Sequence, residues 1–187
     1  METLHFKTSA EFRHWLEKNH TECAGIWLRI FKKNSDEKFL TYAQALDQAL
    51  CYGWIDGQKK PSDEWSWLQK FTPRRPKSGW SKINTQHVER LIHEGIMAPA
   101  GIEAVEAAKA DGRWEAAYSS SRNATPPEDF LKELSKNKRA ETFFRTLNKA
   151  NVYSIVYRLE TAKKPETREK RMKVILAMME QGKAFHP

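Results

Sequence analysis

The chain has 187 residues, a length that fits one domain or two small ones and excludes a large multidomain enzyme. Its 40% hydrophobic and 11% aromatic content excludes a disordered tail. No run approaches the roughly 20 apolar residues that are needed to span a bilayer. The formal charge of +8 permits contacts with nucleic acid, an anionic surface or an acidic ligand.

The excess positive charge belongs to the C-terminal part of the sequence. Residues 1–135 contain 19 basic and 19 acidic residues, whereas the last 52 contain 13 basic and 5 acidic ones. Between these parts, residues 119–127 are rich in Ser, Asn and Pro, which favour turns and linkers. We therefore predict a junction near 119–126 and two domains, 1–120 and 126–187.

The first part opens with a helix followed by a strand. Thr8 and Glu11 have the spacing of a capping box, and apolar residues at helical spacing predict a helix over 9–19. Residues 25–32 alternate two sets of side chains rich in β-branched and aromatic types, which is typical of a strand with one buried face. Residues 34–36 are then predicted to turn the chain.

A second helix and a hairpin follow. Thr41 and Gln44 form another capping box, and Gly53 stands where a helix ends in a left-handed residue. Residues 54–60 and 64–72 flank a Pro-Ser-Asp turn, and the second of these segments places its aromatic residues at strand parity. We predict an antiparallel hairpin.

The remaining elements are predicted to be helical. Ser81 can cap one helix, and Pro99 fits the first turn of another. Four short helices are predicted in the C-terminal part, beginning near Pro127, Lys136, Asn151 and Pro165. The predicted fold class is α+β: a small antiparallel sheet covered by helices, followed by an all-helical C-terminal module.

Several stretches resemble one bacterial family. The runs Gly53–Gly57 and Phe71–Asn84 are similar to the signature of the YdeI/OmpD-associated (bacteriocin-protection) proteins. The resemblance continues through Gly95–Met97 and Ala108–Trp114, and the tail resembles the family's C-terminal helical domain. It implies a link to tolerance of cationic antimicrobial peptides or bacteriocins and to an outer-membrane porin, and it implies no defined reaction.

The strongest candidate site combines basic, hydroxyl and aromatic residues ahead of the predicted third helix. A helix N-terminus offers free N–H groups and the positive end of its dipole, and guanidinium groups and hydroxyls can complete an anion-binding cradle. The expected partner is a small anionic ligand, such as a phosphate or carboxylate. The predicted ligand-binding residues are Trp54, Asp56, Arg74, Arg75, Ser78, Trp80, Ser81 and Asn84.

Other interpretations of these residues stay open. In a structural one, Arg74 pairs with Asp56 or Asp63, Ser81 only caps a helix, and the tryptophans are core residues. In a catalytic one, Asp56 is a weak candidate for a general base, with Arg74 as charge stabiliser in an enzyme of unknown reaction. A third hypothesis is nucleic-acid binding through the basic C-terminal helices. We favour a binding protein over an enzyme.

Metal, thiol and cofactor chemistry find little support. The candidate ligands His14, His20, Cys23, His87 and His93 lack the tight paired spacing of zinc modules, so no metal site is expected. Cys51 is predicted at a helix C-terminus, where the dipole raises a thiol pKa and disfavours a nucleophile. No phosphate loop or dinucleotide fingerprint is present, and no cofactor is expected.

The predicted location is cytoplasmic. The first twenty residues lack the apolar core of a signal peptide, and the two cysteines are expected to be thiols, as in a reducing compartment. No pattern indicates an oligomeric state.

Overall fold

The computed structural model describes residues 1–32, 39–119 and 124–186. Contacts divide the chain into two units: unit 1 comprises Met1–Ser78 and Asn84–Glu115, and unit 2 comprises Gly79–Ile83 and Ala116–Pro187. The fold class is α+β, as predicted. The predicted turn at 34–36 and part of the predicted junction lie outside the described residues.

Unit 1 contains a four-stranded sheet with the strand order β1-β2-β4-β3. The strands are β1 (Thr3–Leu4), β2 (Ile26–Phe31), β3 (Trp54–Pro61) and β4 (Ser66–Pro73). The antiparallel pairing of β3 with β4 confirms the predicted hairpin, and β4 also pairs antiparallel with β2. The sheet is nevertheless mixed, because β1 runs parallel to β2 with Thr3 opposite Trp27. Two residues are too few for an alternating pattern, so no periodicity marks β1.

Four helices accompany this sheet: α1 (Ser9–Asn19), α2 (Tyr42–Cys51), α3 (Lys82–His93) and α4 (Pro99–Ala110). The predicted capping box of α2 is complete, with reciprocal hydrogen bonds between Thr41 and Gln44. The box of α1 is only half formed. The Thr8 side chain accepts from Glu11 N, but the Glu11 carboxylate accepts from Lys7 N, one residue before the cap.

The core of unit 1 lies between one face of the sheet and the helices. The alternating residues Ile26, Leu28 and Ile30 of β2 are fully buried, as predicted from their parity. Phe12 of α1 meets Phe71 of β4 edge-on, with 6.0 Å between the ring centroids. Burial of these apolar side chains is the main stabilising contribution to the unit.

Unit 2 contains four helices, α5 (Glu128–Leu134), α6 (Lys138–Phe144), α7 (Lys149–Glu160) and α8 (Pro165–Glu180), which confirms the predicted helical module. Their buried cluster includes Phe130, Ile155 and Met179. The predicted start of α7 at Asn151 is wrong, because Asn148 caps this helix. Asn151 is buried within the helix, and its side-chain amide donates to the His186 carbonyl at 3.2 Å.

Among the glycines of unit 1, Gly101 leaves the least room for an added Cβ. A Cβ at this position would lie 2.2 Å from the Cys51 carbonyl oxygen of α2. We expect Gly101→Ala to lower the free energy of unfolding by about 1–3 kcal/mol, since the overpacking outweighs the gain in helix propensity. Urea denaturation measures the difference.

Gly57→Ala is the matched control, because its Cβ would meet only the Lys70 side chain at 3.8 Å or more. The expected effect there is small. A Gly101→Ala protein as stable as the wild type would contradict the close packing of α2 and α4.

Candidate functional site

The two motif segments of unit 1 lie side by side. Trp54, at the start of β3, is opposite Pro73, at the end of β4. The backbone N–H of Arg74 donates to the carbonyl of Gly53 at 2.9 Å, which continues this pairing by one step. The predicted site residues on the two strands are therefore neighbours, and their side-chain directions decide what each can contact.

Trp54 is a core residue. Its side chain is 1% exposed, its Nε1 donates to the His20 carbonyl at 3.1 Å, and its ring meets Trp15 edge-on at 5.8 Å. Buried tryptophans need a partner for the indole N–H, and His20 supplies it. The ring stabilises the base of the site and offers no open face to a ligand.

Asp56 lies on the same strand two residues later and lines an open cleft. Its Oδ2 accepts a hydrogen bond from the Tyr42 hydroxyl at 2.8 Å. The cleft has a volume of about 440 Å³, and its lining also includes Lys59, Trp67 and Gln69. The β3–β4 register shifts between Asp56 and Lys59, which locally disrupts the ladder next to the cleft.

Tyr42 is a candidate functional residue that the sequence did not identify. Burial, together with the charge of Asp56 and the hydrogen bond to it, raises the pKa of the Tyr42 phenol. The phenol is thus held in its protonated form and donates to a carboxylate that can also accept from a ligand. In the sequence, Tyr42 fits the apolar stripe of α2, and nothing links it to a residue 14 positions away on another element.

The loop 74–78 gathers the basic part of the predicted site. Arg74 Nη1 donates to the Ser78 hydroxyl at 3.3 Å, and Ser78 N donates to the Arg75 carbonyl at 2.9 Å. Arg113 reaches the same place: its Nη1 donates to the Ser78 carbonyl at 3.1 Å, and its Nε donates to the Asp111 carboxylate at 2.7 Å. Arg113 is buried and was not predicted, because its contact depends on a fold that joins residues 35 positions apart.

The remaining predicted residues are distributed between the two units. Asn84 belongs to unit 1, where it is buried on α3. Trp80 and Ser81 belong to unit 2, and the Trp80 ring is 1% exposed. At the start of α3, Lys82 N donates to the Tyr118 carbonyl at 2.9 Å. One N–H of the predicted anion-binding cradle is therefore already used within the protein.

Asp47, His87 and Arg90 form a second polar cluster in unit 1. Asp47 accepts from His87 Nδ1 at 2.8 Å and from Arg90 at 2.6 Å, and Arg90 also pairs with Glu94. These bonds join α2 to α3. Each charged group of the cluster has a partner, which is typical of a structural ion-pair network.

Thiol and metal chemistry are not supported by the described side chains. Cys51 is buried, and burial raises the pKa of its thiol; the predicted direction is confirmed, although burial is the main cause. Cys23 and Cys51 are free thiols. Among the described residues, no three His, Cys, Asp or Glu side chains are grouped to hold a metal ion. Nor does any described helix have the length and apolar character to cross a membrane.

The fold and its polar clusters define a two-unit α+β protein with a basic helical module. The chain belongs to the family described as Domain of unknown function (DUF8412), whose model matches residues 4–104. Residues 123–182 match a second model, described as Bacteriocin-protection, YdeI or OmpD-Associated, which confirms the predicted resemblance. No curated protein and no solved structure matched the chain in the corresponding searches.

The Tyr42–Asp56 pair leads to a pH prediction. Because the folded-state pKa of Tyr42 is raised, the unfolded chain loses this proton first as the pH rises above about 10. The wild type should therefore lose stability above this pH more steeply than Tyr42→Phe, with no difference between their slopes near neutral pH. Urea denaturation at a series of alkaline pH values measures both slopes.

A second variant tests whether Asp56 contributes to the raised pKa of Tyr42. Asp56→Asn removes the charge that opposes ionisation of the phenol, so the Tyr42 pKa should fall towards its ordinary value. The ultraviolet absorbance of tyrosinate, taken as a difference from Tyr42→Phe, follows this titration. Identical titrations of Tyr42 in the wild type and in Asp56→Asn would contradict the pairing.

Proposed function

We propose that the protein is a binding protein for a small anionic ligand, held at the loop 74–78 of unit 1. The observation that supports this proposal is the convergence of the Arg74 and Arg113 guanidinium groups on Ser78. Arg75 and Lys77 of the same loop are exposed. Basic side chains gathered around a hydroxyl favour a phosphate or carboxylate ligand.

The residues of the loop have different parts in this proposal. Arg113 is engaged by Asp111 and the Ser78 carbonyl, so it holds the loop in shape. The Ser78 hydroxyl accepts from Arg74 and can donate to an anion. Arg75 and Lys77 are the accessible cations. The local excess of positive charge matters because residues 1–135 as a whole are formally neutral.

The other predicted ligand-binding residues support the site less directly. Trp54 and Asn84 are covered, so in this proposal they stabilise the surroundings of the loop and do not touch the ligand. Asp56 faces its own cleft, where a carboxylate disfavours an anion. For Trp80 and Ser81, which belong to unit 2, a role in ligand binding stays a prediction from the sequence.

An enzyme that uses Asp56 with Arg74 is less well supported. Such a mechanism needs both side chains to face one reacting group. Asp56 lines the cleft with Tyr42, whereas Arg74 is not among the described residues of that lining and contacts Ser78 in the loop. The separate contacts of the two residues favour binding over catalysis.

Nucleic-acid binding through the C-terminal helices is also less favoured. Two cations of α8, Arg168 and Lys173, form ion pairs with Asp129 and Glu169, each at 2.7 Å. Such pairing reduces the positive charge available to a row of phosphates.

The family description of residues 123–182 mentions bacteriocin protection. In our proposal, a role of this kind acts through the anionic ligand or a partner protein. Direct capture of a cationic peptide is disfavoured, since residues 136–187 contain 13 basic and 5 acidic residues and like charges repel. We also propose a cytoplasmic location, for which free thiols are typical.

Isothermal titration of inorganic phosphate into the full chain at low salt tests the binding proposal. We expect the double variant Arg74→Ala, Arg75→Ala to bind phosphate at least about tenfold more weakly than the wild type, because each charge-assisted hydrogen bond contributes about 1.5–3 kcal/mol. Arg74→Lys should lose part of the affinity, since it keeps the charge but not the guanidinium fork.

The matched control removes two exposed cations elsewhere in unit 1. Lys7→Ala, Lys18→Ala makes the same change in net charge and should leave the phosphate affinity unchanged. Equal weakening in both double variants would mean that only the net charge matters, and equal binding by the wild type and the arginine variant would refute the site.

A further inference from the structure

A basic groove lies on unit 2, between the end of α7 and the outer side of α8. Its volume is about 580 Å³, and three cations line it: Arg158, Lys170 and Arg171. Within the part of the chain that the structure describes, the lining contains no aspartate or glutamate. An open groove of this size suits a small molecule with a negative charge.

The two arginines of this groove are oriented by neutral oxygen atoms. Arg158 Nη1 donates to the Ser154 carbonyl at 3.0 Å, and Arg171 Nη1 donates to the Arg158 carbonyl at 2.7 Å and to the Thr161 hydroxyl at 3.2 Å. Carbonyl and hydroxyl groups fix a guanidinium without cancelling its charge. Lys170 is exposed at the rim.

The groove also has an apolar wall. Val174 is 53% exposed and Tyr157 is 38% exposed, so both offer apolar surface to the groove. Phe185 completes the wall, with Arg158 Cζ lying 3.8 Å from the centre of its ring. The wall is held in place, because the backbone of the next residue, His186, exchanges two hydrogen bonds with the Asn151 side chain.

A second groove of unit 2 has the same volume and a different character. Three of the four cations in its lining are paired with carboxylates: Arg168 with Asp129, Lys136 with Glu133, and Lys173 with Glu169. These pairs leave little net charge for a ligand. The comparison identifies the groove of Arg158, Lys170 and Arg171 as the one that can attract an anion.

Helical periodicity explains how one helix serves both grooves. Residues 168, 172 and 176 of α8 face the paired groove, whereas residues 167, 170, 171 and 174 face the basic one. Each set follows the three- and four-residue spacing of a helix face. Glu169 lies on the first face, so the second face carries cations without an acidic neighbour in the groove lining.

We infer that the basic groove binds an amphipathic anion, a single phosphate or carboxylate head on an apolar tail. The head group pairs with Lys170 and the two guanidinium groups, and the Thr167 hydroxyl can donate a hydrogen bond to it. The tail covers the exposed apolar wall and gains the free energy of its burial. This inference concerns unit 2 and does not depend on the Arg74 loop.

Monomeric decyl phosphate is the probe for this inference. Methyl-detected NMR of the full chain should show shifts of Val174 and Ile175 on titration, at concentrations below micelle formation. Inorganic phosphate lacks the tail and so loses the burial of apolar surface, whereas decyltrimethylammonium reverses the head charge and so loses the pairing with the cations. Both should bind at least about tenfold more weakly than decyl phosphate.

Charge variants test the head-group contacts. Lys170→Glu should weaken decyl phosphate binding at least about tenfold, and Lys170→Arg should retain it. Lys138→Glu makes the same change in net charge on α6 and should leave binding unchanged. Circular dichroism of each variant confirms that unit 2 is folded.

Three results would overturn the inference. Equal affinities for decyl phosphate and decyltrimethylammonium would indicate adsorption to an apolar surface alone. Binding restricted to anionic vesicles or to single-stranded DNA, and weakened alike by Lys170→Glu and Lys138→Glu, would indicate a general polyanion surface. Methyl shifts in Lys170→Glu that match the wild type would remove Lys170 from the site.

Discussion

The burial of the Trp54 indole under α1 is the constraint on which the candidate site of unit 1 depends. Because side chains alternate along a strand, fixing this ring in the core sets the face of β3 on which Asp56 lies. Asp56 then meets the hydroxyl of Tyr42 at the start of α2. The backbone ladder of β3 and β4 pairs Trp54 with Pro73, so that the loop of Arg74 begins beside Gly53.

Much of this architecture follows from local sequence patterns. The capping box at Thr41, the strand parity of residues 26–31 and the hairpin of β3 and β4 were predicted, because each depends on residues close in sequence. The parallel strand β1 was missed, since it is defined by its backbone bonds to β2. The start of α7 was placed three residues late because Asn148 and Asn151 are both acceptable caps.

The candidate sites were harder to predict for a physical reason. Arg74 and Ser78 are four residues apart and were grouped correctly by their proximity in sequence. Tyr42 and Arg113 join the clusters only through the fold, and side-chain identity alone gives no sign of such contacts.

The placement of charge, more than its total, determines what each part of this protein can bind. A surface ion pair contributes little to stability, but it removes a cation from the set that can attract a ligand. In unit 2, Asp129, Glu133 and Glu169 line one groove and pair with three of its four cations, whereas no described carboxylate lines the other, so one groove is nearly neutral and the other is positive. Residues 1–135 carry equal numbers of basic and acidic residues, and within them the short loop 74–78 concentrates positive charge. The electrostatic field near a ligand follows these local arrangements, since salt screens charges beyond about 8 Å at physiological ionic strength.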